Sequence, residues 1–186
     1  AGTERPLSFT LAPKVAPRTD PGFIRVVVSP YGDVYLDNEL KAEGTRVAVF
    51  SASSGKDHQL RIHHRATIGD IYLDKLRVSP GDTLDIGRHV FSVGSLKAAS
   101  NISGIIKVDG VELPGETPVT AERVLVGDHL VSIYKRGMKV DKFWVFGTSG
   151  KTEVQAVDAS AKEPLYPITI IKGETLRIKF DLKVAD

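Results

Sequence analysis

In this cysteine-free chain five histidines, His58, His63, His64, His89 and His129, are the side chains that could give a metal ion nitrogen ligands. His63 and His64 are adjacent on an expected strand and so point to opposite faces, which prevents them from closing one site together. Asp37 and Asp109 offer two carboxylates for acid–base work. Each stands in a tight-turn sequence, Asp37-Asn38 and Asp109-Gly110, and turn formation accounts for both. Ser53-Ser54-Gly55-Lys56 places a serine three residues before a lysine, as some acyl-transfer enzymes do, but no orienting base accompanies it. Gly147-Thr148-Ser149-Gly150-Lys151-Thr152 ends like a phosphate-binding loop. That loop needs a glycine where Val145 stands, and a helix after it to aim N–H groups at phosphate, so a polar hairpin loop is the better reading. These residues assemble no nucleophile with its base and no ligand set. The expectation is a protein that is not an enzyme and takes no cofactor and no metal.

Two features read as binding surface. In His58-Gln59-Leu60-Arg61-Ile62-His63-His64-Arg65, Leu60 and Ile62 face inward, and Arg61, His63 and Arg65 line the opposite face as a basic stripe suited to phosphate or carboxylate. A solvated strand face is the alternative. In Phe143-Trp144-Val145-Phe146, burying Phe143 and Val145 presents Trp144 and Phe146 outward, or the reverse. Exposed aromatics suit sugar or protein contact, whereas buried ones would form a local core.

The elements that must carry these residues are strands. Ile24-Arg25-Val26-Val27-Val28 and Val47-Ala48-Val49-Phe50 are β-branched or apolar runs bounded by turn residues. Helical periodicity is absent except over Glu153–Lys162, which could make one short helix. The grammar of Phe23–Arg65 recurs in Ser95–Gly137. Gly32 and Asp37 correspond to Gly104 and Asp109, each 72 positions on (104 − 32, 109 − 37), and Gly55-Lys56-Asp57-His58 is answered by Gly127-Asp128-His129. A fixed period across unlike residues marks two copies of one supersecondary unit. It also gives His58 and His129 a shared structural role at a strand start. The second copy is longer between its histidine and its closing Gly173-Glu174-Thr175-Leu176, and the excess is assigned to an insertion at 143–164.

The stretch Gly94–Gly137, with Pro114-Gly115-Glu116-Thr117-Pro118 at its turn, Val108-Asp109-Gly110 at the hairpin tip and Gly127-Asp128-His129 before the next strand, resembles the PEGA domain. The first copy has Lys41-Ala42-Glu43-Gly44-Thr45-Arg46 at the turn and lacks both prolines, so its resemblance rests on the internal repeat. The resemblance implies a small β-domain outside the cytoplasmic membrane, in the periplasm or at the cell surface, with a partner domain rather than a catalytic activity.

Net charge is +2, with 25 basic and 23 acidic residues, which supplies no field for nucleic acid or an anionic membrane. No run reaches the ~18 apolar residues of a membrane span, and no charged-then-apolar leader is visible. A chain opening on Ala1 is expected to be a mature or excised piece. Residues 1–22 hold four of the ten prolines and read as an extended arm or linker, within which Leu7-Ser8-Phe9-Thr10-Leu11 alternates and can add an edge strand to a neighbouring sheet.

The expected architecture is all-β: two tandem small antiparallel β-sandwich domains, 23–93 and 94–186, behind a Pro-rich N-terminal arm. The expected role is an extracytoplasmic interaction module of a bacterial envelope protein, with a cell-envelope glycan or another protein as partner. The alternative is a structural subunit of a virion or surface assembly that uses the arm for subunit contacts.

Overall fold

The structure, a computed structural model, describes residues 20–147, 150–158, 161 and 163–185. The strand expected of Leu7–Leu11 and nearly all of the arm lie outside the described residues. Within them the chain is all-β: of Glu153–Lys162, where one short helix is expected, Glu153 ends a strand and residues 154–158 and 161 are irregular.

In the first copy, β1 (Gly22–Leu36) buries Ile24, Val26, Val28, Val34 and Leu36, the alternation that a half-covered strand requires. It is long enough to serve two sheet faces. It pairs antiparallel with β2 (Glu39–Ala52) along its whole length, and its second half also pairs with β3 (Asp57–His63), which pairs with β4 (Ile71–Arg77). The copy closes with β5 (Thr83–Val90), which runs parallel to β1, with Phe23 opposite Thr83 and Ser29 opposite Val90. Parallel pairing of the first and last strands departs from a purely antiparallel sandwich.

The second copy follows the same path with its long strands broken in two. β6 (Val93–Ser100) and β7 (Ile105–Val108) take the place of β1, β8 (Val111–Glu116) and β9 (Val119–Leu125) that of β2, and β10 (Gly127–Tyr134) that of β3. Added to the path are β11 (Met138–Gly147) and β12 (Gly150–Glu153), so the extra structure begins upstream of Phe143. β13 (Tyr166–Ile170) and β14 (Thr175–Val184) complete the copy. The sheets run β13-β10-β7-β8 and β12-β11-β14-β6-β9, and β14 is parallel to β6 as β5 is to β1.

The 72-residue period extends to Gly22 and Gly94 (94 − 22), and the packing explains it. A Cβ on Gly22 would lie 2.5 Å from the Ser79 carbonyl oxygen, and one on Gly94 would lie 2.4 Å from that of Ile171. In both copies the opening strand passes too close to the turn before the closing strand for any side chain.

Each copy has its own apolar cluster, Ile24 to Phe91 in the first and Leu96 to Leu182 in the second. Only Phe91 and Ser92 separate β5 from β6. The copies exchange one side chain each: Ile68 packs against the second cluster and Leu125 against the first. The backbone seals this joint, since Ile68 N–H donates to Arg123 O at 2.8 Å and Leu125 N–H to Ile68 O at 2.9 Å. Arg123 Nε adds a bond to Ala66 O at 3.0 Å.

Candidate functional site

The histidines and aspartates that looked capable of chemistry are joined in two equivalent brackets. At the β1–β2 turn Asp37 takes a positive φ of 50°, and at the β7–β8 turn Asp109 takes 49°. That bend aims each carboxylate back across the sheet at the histidine opening the neighbouring strand. In the first copy Asp37 Oδ2 lies 2.8 Å from His58 Nδ1, Gln59 N–H donates to Asp37 Oδ1 at 3.0 Å, and His58 Nε2 lies 2.8 Å from Ser53 O. In the second, His129 Nδ1 is 2.6 Å from Asp109 Oδ2, Leu130 N–H donates to Asp109 Oδ1 at 2.9 Å, and His129 Nε2 is 2.6 Å from Leu125 O.

Both imidazoles are buried, at 3% and 6% exposure. Each presents its two nitrogens to a carboxylate and a backbone carbonyl, oxygens that can only accept. Burial works against charge on His129, but the Asp109 hydrogen bond, the Leu125 carbonyl and the Asp109 charge outweigh it and raise its pKa. Burial likewise works to raise Asp37. The Gln59 N–H, His58 and Lys56 prevail and hold it down at about 2. Both brackets use up their nitrogens and carboxylates internally.

Whereas His63 is only part-buried, His64, the residue after β3, is buried and points inward. Its ring lies between Tyr31 (centroids 4.8 Å apart) and Phe91 (5.3 Å), and Nδ1 meets Thr67 Oγ1 at 3.0 Å. Burial, aided by the Arg123 and His63 charges, lowers its pKa.

The basic stripe is neutralised by acids that the strand's own sequence does not show. Asp70, across the β3–β4 hairpin, receives Arg61 Nη1 at 2.9 Å and faces His63 Nδ1 at 2.7 Å. Arg61 also lies 3.9 Å above the Tyr35 ring, and the Asp70 bond raises its pKa. β3 stops at His63, so Arg65 is not on the strand face at all. It turns to Glu43 and, at 3.4 Å, to Asp33. The stripe borders a groove of about 870 Å³ at the joint, which also includes Asp70, Asp109 and Asp128. A signal for Asp70 existed in the sequence, an aspartate seven residues after His63 across a turn.

The aromatic run resolves in favour of Phe143 and Val145 inward. Phe143 is 1% exposed and stacks 4.6 Å from Phe180 and 4.7 Å from Tyr166. Trp144 and Phe146 face out on β11. Trp144 Nε1–H donates to Asp181 Oδ2 at 2.7 Å, and Lys151 Nζ lies 4.1 Å over its ring, brought there by the β11–β12 hairpin. The Lys179 and Trp144 hydrogen bonds lower the Asp181 pKa. Phe146 is 37% exposed and, with Lys151 and Arg177, edges a depression of about 740 Å³. Of the segment that resembles a phosphate-binding loop, Gly150, Lys151 and Thr152 lie on β12, with Gly150 opposite Gly147. Asp181, 37 residues from Trp144, was invisible as its partner without the β11–β14 register.

Among the described residues no three histidine, aspartate or glutamate side chains are placed to hold a metal ion, and no helix is long and apolar enough to cross a membrane. No protein-family model matches the chain, and no curated protein matches it. Among solved structures it is similar to the major pilin protein (T-13) from Streptococcus pyogenes serotype GAS131465, at 10% identity and a TM-score of 0.32, over 92% of this chain and 98% of that chain.

Proposed function

We propose that this chain is a non-enzymatic interaction module of a bacterial envelope or surface protein, built from a tandem pair of PEGA-type units and working outside the cytoplasmic membrane. One observation carries the reading: the groups able to do acid–base work are bound to internal partners, while the β11–β12 hairpin holds Trp144, Phe146 and Lys151 on the surface. An aromatic face beside fixed cations suits the stacking and anion contacts of an envelope glycan or a partner protein.

Co-sedimentation with purified bacterial cell wall tests it. Binding by the intact chain and its loss in Phe146→Ala and Lys151→Ala, both with unchanged melting, are the expected results. Binding equal in all three chains would remove this surface from the reading.

A further inference from the structure

The outer face of the sheet β12-β11-β14-β6-β9 carries a row of cations that strand register assembles from distant segments. Lys151 on β12 stands opposite Phe146 on β11, Phe146 opposite Arg177 on β14, and Arg177 opposite Lys97 on β6. Cross-strand partners share a face. It is the outer one, since Arg177 stands between Leu176 and Ile178, and Lys97 between Leu96 and Ala98, all four of which belong to the core or pack against it. Lys97, Lys151 and Arg177 are exposed. Strands lie about 4.8 Å apart, so the row crosses the sheet over about 14 Å. Its next member, Thr120 on β9, is neutral, which leaves the row with three cations and no acid. Among the described residues no salt bridge holds any of the three, and Asp181, the acid beside the row, is taken by Lys179 and by the Trp144 Nε1–H, each at 2.7 Å. Arg177 directly opposite Lys97 is a like-charge pair, which destabilises a sheet until an anion joins it.

We propose that this row binds a phosphate-bearing glycan laid across the strands, with a phosphate between Arg177 and Lys97 and a sugar ring on Phe146. The inference rests on the reading of this face as the contact surface for envelope material, and adds Arg177 and Lys97 to it. Two adjacent cations, one of them a planar guanidinium fork, suit a group that offers several acceptor oxygens and more than one negative charge, which favours phosphate over carboxylate. Phe146 stands one strand from Arg177, about 4.8 Å, so a sugar stacked on its ring stays joined to that phosphate. Lys151, one strand beyond, meets the next acidic group along the glycan. A single nucleic-acid strand would match the charges, but it binds by stacking successive bases on successive aromatics, and this row offers one ring.

Equilibrium dialysis of the intact chain against a labelled mannose pentasaccharide carrying one phosphate tests this. Saturable uptake is expected, weakened about tenfold by Arg177→Gln and by Lys97→Gln, both with unchanged melting, and weakened as salt rises. The same pentasaccharide after phosphatase treatment should not be taken up. The proposal is overturned by absence of uptake, by equal uptake of the two sugars, by either substitution leaving the affinity unchanged, or by tighter binding of polygalacturonate or of a single-stranded oligonucleotide, which would reassign the row to carboxylate or to nucleic acid. Co-sedimentation keeps this failure apart from that of the broader reading. Cell-wall binding that survives both substitutions would leave the contact surface standing and remove phosphate from it, whereas pentasaccharide uptake without cell-wall binding would keep the phosphate site and remove its envelope setting.

Discussion

Asp109 and His129 stand 20 residues apart and meet at 2.6 Å across the β7–β10 pair, in the same arrangement that joins Asp37 to His58. The bracket ties the hairpin tip to the strand that follows. Removing one partner leaves the other buried without its bond. Asp109→Asn should therefore cost about 1–3 kcal/mol and lower the melting temperature by several degrees, and Asp37→Asn should do the same in the first copy. Thermal unfolding followed by circular dichroism checks both. Unchanged melting in either variant would mean that the bracket is only a consequence of the fold.

The bracket also sets a pH dependence. His129 has a raised pKa in the folded chain, so its contribution is complete below its ordinary 6.5 and is lost as pH rises through the raised folded value. Asp37, held at about 2 against an ordinary 3.8, contributes fully above 3.8 and loses that contribution as pH falls toward 2. Urea unfolding should show stability declining above pH 6.5, and His129→Gln should flatten that slope. A slope that survives the substitution would place its origin elsewhere.

Phe143 and its neighbour Trp144 should separate core from surface. Phe143→Ala opens a cavity against Phe180 and Tyr166 and should cost about 3–5 kcal/mol. Trp144→Ala removes one hydrogen bond and two cation–ring contacts and should cost about 1–2 kcal/mol. Equal losses in the two would put the indole in the core.

Gly94→Ala should be among the most damaging single-methyl changes in the chain. The new Cβ would stand 2.4 Å from the Ile171 oxygen and 3.0 Å from that of Glu174, both backbone atoms. A loss of about 2 kcal/mol or more is expected, with Gly22→Ala behaving alike. Denaturant midpoints measure both, and a neutral Gly94→Ala would show that the β6 entry is looser than its packing implies.

The apolar part of the joint between the copies is one side chain from each side, Ile68 and Leu125. Ile68→Asp should break the exchange with Leu125 and free the copies to move, with both apolar clusters intact. Small-angle scattering should then change from a narrow to a broad distribution of distances. An unchanged distribution would mean that the backbone bonds across the joint and the short Phe91-Ser92 connection set the arrangement without the apolar exchange.

Much of the fold was legible because it is local. The alternation in Ile24–Val28, the turn residues at Asp37-Asn38 and Asp109-Gly110, and the period linking Gly32 to Gly104 all express rules that act within a few residues. Pairings between distant segments were not legible. That β5 would lie parallel to β1 and that Asp181 would receive Trp144 each depend on register between strands far apart in sequence. Arg61 and His63 pair with Asp70 just across the β3–β4 turn, and Arg65 lies off their strand because β3 ends two residues earlier. The aromatic run was read to two alternatives, and the choice fell to Phe143 because Phe180 and Tyr166 converge on its side of β11.

The parallel pairing of first and last strands has a mechanical consequence. In each copy the start of the opening strand and the end of the closing strand lie at opposite ends of one ladder. A pull applied between residues 22 and 184 therefore loads both ladders along their length, so their hydrogen bonds share the tension and must yield together instead of unzipping one by one. Because Phe91 and Ser92 add almost no slack between the ladders, the two copies act as links in series, each resisting extension by shear.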